Sequence, residues 1–166
     1  MDTRKVEKIA ALFIGAVIVF LTLFRSDWQA VGIYCGCGLR CRLLYPFFHA
    51  NIVHGALNAW CLLSIVFYYE VRIWRLLLAY IIAVSIPIDT LGSLVGGLAV
   101  PTVGLSGVIF ALFGRLSFEV RRKLYYQAWM LLYLSVGFIF PSSNGWIHLY
   151  CYVVGFALAL LNKPIN

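Results

Sequence analysis

Five stretches of the chain, residues 9–24, 43–69, 76–88, 90–114 and 124–162, contain no Asp, Glu, Lys or Arg. Water cannot solvate runs of that length and apolarity, whereas a bilayer asks for about 20 consecutive apolar residues per helical span. The last stretch holds 39 residues, enough for two spans, and the sequence PSSNG at residues 141–145 divides it as a turn. Composition agrees: 63% of the residues are hydrophobic and 11% charged, against about 45–50% and about 25% in soluble domains. A secreted disulfide scaffold, a disordered chain and a cytosolic enzyme are thereby excluded. The expected fold is an all-α membrane protein, a six-transmembrane-helix bundle forming one domain over residues 1–166 with no soluble domain. Its spans are expected at about 9–25, 47–69, 73–89, 104–119, 124–140 and 146–162.

The net charge of +7 would suggest nucleic acid in a soluble protein, but in a membrane protein basic residues report sidedness. Arg4, Lys5, Lys8, Arg72, Arg75, Arg115, Arg121, Arg122, Lys123 and Lys163 fall on one side of the six spans, and Arg25, Arg40 and Arg42 on the other. The positive-inside rule then puts both termini in the cytoplasm, as in a multi-pass protein of a bacterial cytoplasmic membrane. The lipid bilayer is an expected partner and nucleic acid is not. The first 24 residues also have the look of a secretory signal, yet no small-x-small cleavage site follows them, so they are read as an uncleaved span.

The two long connections, residues 26–46 and 90–103, face outside. The second, TLGSLVGGLAVPTV, is too glycine-rich for a good helix and too apolar for a solvated loop, so it is expected to dip into the membrane against a cavity. Cys35, Cys37 and Cys41 cluster in the first. A disulfide is open to them in an oxidising compartment, although Cys-x-Cys pairs are too close to bridge comfortably, and a metal site lacks a fourth ligand. Cys61 and Cys151 read as packing residues. No metal and no cofactor is expected.

The three histidines of the chain, His49, His54 and His148, all fall within expected spans, where polar groups are expensive and mark function or helix contacts. His49 and His54 are expected in the first two turns of the second span, Asn58 one turn further on the same face, Ser106 at the start of the fourth and His148 at the start of the sixth. All of these positions share one depth near the outer surface. A serine hydroxyl is a weak nucleophile until a base takes its proton, and neutral histidine is such a base. The resulting oxyanion needs preorganised donors, for which His54, Asn58 and the Ser106 backbone N–H at a helix N-terminus are suited. The acidic residues lie at the wrong face or at span ends, so a Ser–His dyad is expected rather than a triad, with Asp89 a solvated residue closing the third span. The Gly-Leu-Ser-Gly sequence at residues 104–107 is not read as a hydrolase elbow, since no parallel sheet surrounds it.

On these residues the chain resembles the rhomboid intramembrane serine proteases of the compact six-helix type. Their pattern His-x4-His-x3-Asn is met by His49, His54 and Asn58, their Gly-x-Ser-Gly by Gly104, Ser106 and Gly107, and their last-span histidine with its glycine by His148 and Gly155. The resemblance covers about residues 40–160. It implies Ser106 as nucleophile, His148 as base, and His54, Asn58 and the Ser106 amide as oxyanion donors, with His49 structural. Where the family often has Trp-Arg, this chain has Cys41-Arg42. Phe110 replaces a common tyrosine and can stack on His148 without hydrogen-bonding, and Cys151 replaces a glycine. Gly107, Ala111, Gly155 and Ala159 provide small-x3-small spacing for a tight contact between the fourth and sixth spans.

Hydrolysis inside a bilayer needs a water-filled cavity, expected to be lined by His49, Asn51 and the outer ends of the second, fourth and sixth spans. The substrates implied are transmembrane-helix proteins weakened by Gly, Pro or small residues near the outer face. The resemblance further implies entry past residues 136–140, with the 90–103 connection as a cap. The alternatives are a proteolytically inactive relative acting as a membrane chaperone or binding protein, and a small transporter. A transporter would be expected to carry a polar path across the whole membrane.

Overall fold

A computed structural model describes residues 3–24, 26–96, 98–140 and 143–161. The expectations resting on Asp2, Arg25, Pro141, Ser142 and Lys163 lie outside these residues. The described chain is helical: α1 Thr3–Leu21, α2 Trp28–Val31, α3 Leu39–Leu44, α4 Ile52–Tyr68, α5 Ile73–Val84, α6 Ile88–Val95, α7 Ser106–Leu116, α8 Lys123–Ile139 and α9 Gly145–Leu161. Extended pairing among these residues is confined to one antiparallel bridge, Ile33 with Thr102.

Several boundaries depart from the sequence expectation for identifiable reasons. α1 begins six residues before position 9 because its charged end is used: the Glu7 carboxylate accepts from the Ile73 N–H (3.2 Å) at the start of α5, and Arg4 meets Glu70. α4 begins at Ile52 rather than 47, since Asn51 is extended and its side chain accepts from the His54 N–H (2.9 Å), an N-cap. His49 therefore precedes the helix. The third span breaks at Ser85-Ile86-Pro87, where the proline has no N–H to donate and disfavours helix in the residue before it. α5 and α6 meet there at 52°. The 90–103 connection is correspondingly helical up to Val95, stops at Gly96 with φ +69, turns through residues 98–100 and pairs with Ile33 at Thr102. α2 and α3 lie within what reads as one long loop.

No single described helix is both 18 residues long and apolar enough to cross a membrane alone, although α5 and α6 together meet that test. The apolar helices α4 and α9 have 17 residues each, about 25 Å at 1.5 Å per residue against a hydrocarbon core of about 30 Å.

α7 occupies the middle, buried from Gly107 to Leu112 and again from Gly114 to Leu116. α5, α9 and α4 surround it, and α1 packs on α4 with Gly15 against Ala59. The outer helices carry large apolar side chains outward: Phe13, Trp60, Leu77, Leu131 and Val153 are each more than half exposed, Trp60 to 73%. Exposed apolar surface on this scale is rare on a monomer dissolved in water.

Among the described helices α7 and α9 make the most extensive contact. A Cβ on Gly155 would overlap the Ala111 carbonyl oxygen, and one on Gly114 would overlap that of Tyr152. Backbone thus lies on backbone at two levels, as small residues permit. This contact sets the spacing between the N-terminal ends of α7 and α9, and the polar cluster lies there.

Candidate active site

Ser106 is the first residue of α7 and His148 lies in the first turn of α9. The His148 Nε2 stands 2.8 Å from the Ser106 Oγ. One turn beyond the serine, Phe110 stacks on the His148 ring, with centroids 4.4 Å apart and planes 19° apart, so the imidazole is fixed by packing on one face. The other ring nitrogen, Nδ1, is buried and has no hydrogen-bond partner among the described residues. A Cβ on Gly137 of α8 would come within 3.0 Å of it.

The backbone leading into the serine is held at two points. The Gly104 N–H donates to the Tyr45 carbonyl (2.9 Å), and the Leu105 N–H donates to the His49 Nε2 (3.1 Å). Tyr45 is itself fixed by donating its hydroxyl to the Ala83 carbonyl (3.0 Å). Gly104 has φ +136, a conformation that favours glycine. A Cβ there would lie 3.0 Å from the His54 ring and 3.7 Å from the Ser106 Oγ. The glycine thus leaves open the space between His54 and the hydroxyl. At Gly107 a Cβ would press on the Tyr45 hydroxyl at 2.9 Å and touch the Cys151 sulfur at 3.4 Å.

The structure thus brings together Ser106, His148 and His54, and sets the others further back. His49 packs edge-on against His54 (4.9 Å). It is only 3% exposed and is not on the cavity wall, contrary to expectation, because its Nε2 is spent on Leu105. Asn58 donates to the His54 carbonyl (3.0 Å) and likewise stands behind the wall. Asn51 does line the cleft, which has a volume of about 320 Å³ and reaches Ser106 and His148 between Leu57 and Asn144. It runs into a second cleft of about 490 Å³ between residues 98–103 and the α8 end at Gly137 and Phe138. The first-turn N–H groups of α7, Ser106's among them, lie at the N-terminal end of the helix dipole.

Asp89 is exposed, as expected, but it stands in the first turn of α6 rather than closing a span, and it is not without partners. Its carboxylate accepts from the Gly36 N–H (2.6 Å) and pairs with Arg42 (2.8 Å), whose other guanidinium nitrogen donates to the Ile86 carbonyl (2.7 Å). Arg42 thereby ties α3 to the α5–α6 break. The three loop cysteines are free: the Cys35 thiol donates to the Ile88 carbonyl and the Cys41 thiol to those of Gln29 and Ala30. No metal-binding cluster of His, Cys, Asp or Glu occurs among the described residues.

Sequence reasoning missed Gly137, Gly114, Tyr45 and Asn144. The glycines interrupt apolar helices, where an isolated glycine signals close approach. Asn144 precedes a helical run and caps it: its side chain accepts from the Ile147 N–H (3.2 Å) and donates to the Thr102 hydroxyl (3.1 Å). Nothing in the pattern around Tyr45 marks it.

A family model for the Rhomboid domain matches residues 39–164, well over half of the chain. No individually curated protein matches it.

Proposed function

The chain belongs to the rhomboid family, and from that premise we propose that it is an intramembrane serine endopeptidase working through a Ser106–His148 dyad. The observation that carries this reading is the 2.8 Å contact between His148 Nε2 and Ser106 Oγ at the mouth of a cleft. Family membership makes the chain an integral membrane protein. The charge distribution supports six spans, with α5 and α6 forming the bent third, both termini cytoplasmic and the cleft towards the outer face.

In this mechanism Ser106 Oγ attacks the scissile carbonyl carbon while His148 Nε2 takes its proton. His54 and the Ser106 N–H stabilise the oxyanion, His148 returns the proton to the leaving amine, and water hydrolyses the acyl-enzyme by the same route. Among the described residues Nδ1 has no partner and both Asp89 oxygens are engaged elsewhere, so no described carboxylate orients the base. Phe110 does so by stacking. The substrate is a transmembrane helix unwound near the outer face, entering past Gly137 and Phe138 beneath residues 98–103.

The direct test is covalent labelling of the purified protein by a fluorophosphonate. Label on Ser106 is expected. Absence of label from a folded sample would favour an inactive relative or a transporter.

Two variants refine the roles. Asn58→Ala is expected to cost less than about tenfold in cleavage rate, because its amide donates to the His54 carbonyl behind the cleft wall. A loss of about 10²–10³, the worth of one oxyanion donor, would put it in the oxyanion hole instead. Asp89→Asn is expected to cost less than about tenfold, whereas removing a triad carboxylate costs about 10⁴. A collapse of rate in this variant with the fold intact would establish a triad.

A further inference from the structure

At the end of α7 away from Ser106 lies a third cleft, of about 520 Å³, between the α4 terminus at Tyr68 and Tyr69, the α7–α8 turn and the first turns of α8. Its lining combines Arg121 and Arg122 with tyrosines and Trp129. Neither arginine forms an ion pair among the described residues. Glu119, the acidic group on the wall, is already held by two hydrogen bonds from the Arg75 guanidinium (2.7 and 2.9 Å). The cleft is therefore positive with its carboxylate occupied.

The start of α8 adds a second demand for negative charge. Its N-cap is Arg122, which makes no side-chain cap, and no acidic residue stands in its first turn. The first-turn N–H groups thus lack both a cap and an anion, and three consecutive basic residues, Arg121, Arg122 and Lys123, repel the positive end of the helix dipole. An anion placed there would satisfy the amides and the guanidinium groups together. From this point an aromatic ladder, Tyr125, Trp129 and Tyr133, climbs α8 with ring centroids 6.2 and 6.0 Å apart. The exposed Leu132 lies beside it. Aromatic rings with basic neighbours are what a protein presents at the headgroup level of a membrane, and basic pockets on the cytoplasmic side hold anionic headgroups.

We propose that this cleft binds an anionic phospholipid, with its headgroup phosphate between Arg121, Arg122 and the first-turn amides of α8 and its acyl chains along the Tyr125–Trp129–Tyr133 face. The site lies at the opposite end of α7 from Ser106 and stands whether or not the protein cleaves peptides.

The test uses the full-length protein in a neutral detergent, titrated with phosphatidylglycerol or phosphatidylcholine and read by native mass spectrometry. Phosphatidylglycerol is expected to bind in preference. The Arg121→Ala/Arg122→Ala variant is expected to weaken it about 25-fold, at about fivefold per arginine near an anionic headgroup. The charge-matched control Lys5→Ala/Arg40→Ala should bind as the parent does, and an equal loss in the control would reduce the effect to net charge and overturn the site. Displacement of the lipid by millimolar inorganic phosphate would make this a free-phosphate site and also overturn the proposal. Should the double variant not fold, a photoactivatable phosphatidylglycerol on the parent protein decides: adducts within residues 119–133 support the site, and adducts confined elsewhere refute it.

Discussion

Ser106→Ala and His148→Ala each abolish cleavage of a single-span substrate while leaving the helical content unchanged. A nucleophile and its base act as a unit, so losing either costs at least about 10³–10⁴ in rate, and losing both costs little more. The geometry makes the two changes comparable in mildness. Ser106→Ala deletes one oxygen 2.8 Å from a ring nitrogen, and His148→Ala leaves Phe110 without its stacking partner but breaks no backbone contact. Cleavage is measured by gel assay in detergent and the fold by circular dichroism. Residual turnover near the parent rate in either folded variant would remove that residue from the chemistry.

Gly155→Ala is expected to fail differently, by loss of the fold around the site. The added methyl would overlap the Ala111 carbonyl oxygen, with the Ala111 Cα also within 3.1 Å. These are backbone atoms of a buried helix and have no rotamer to escape into. Overpacking of this kind costs up to about 3 kcal/mol, or about 6–12 °C in melting temperature for a chain of this size. Because α9 carries His148, activity should fall with stability. Gly38→Ala is the control: nothing lies within 4 Å of its Cβ position and its φ is −74°, so its melting temperature should stay with the parent. A Gly155→Ala protein as stable and active as the parent would mean that α7 and α9 are not in backbone contact.

Much of this architecture was legible in the sequence because its determinants are local. Charge-free runs marked the long helices, with α8 and α9 within a residue of expectation, and the spacing of His54, Ser106 and His148 marked one end of the bundle. What was not legible depends on contacts between distant residues. His49 reads as helical until one sees that Asn51 caps α4 and that His49 is needed as acceptor for Leu105, 56 positions away. Asp89 reads as an unpartnered span end because its partners, Gly36 and Arg42 of α3, lie 53 and 47 positions away. The α5–α6 break at Pro87 went unread inside an expected span of 73–89, and the glycines that follow made residues 90–95 look less helical than they are.

The placement of polar tethers on α8 has a mechanical consequence. The hydrogen bonds described between this helix and its neighbours come from its first turns, Tyr126 to the Phe113 carbonyl and Gln127 with the Tyr152 hydroxyl. Beyond them α8 meets α9 through apolar and glycine contacts up to Phe138. The opposite rim is riveted: Ile33 to Thr102, Cys35 to Leu98, and Asp89 to Arg42 and Gly36. Such a helix is a lever with its fulcrum near Gln127 and an arm of about 16 Å to Phe138, so a tilt of about 10° carries the tip about 3 Å from a rim that stays still. Widening of the cleft should therefore be one-sided, and whatever grips the fulcrum end would set how readily the tip swings.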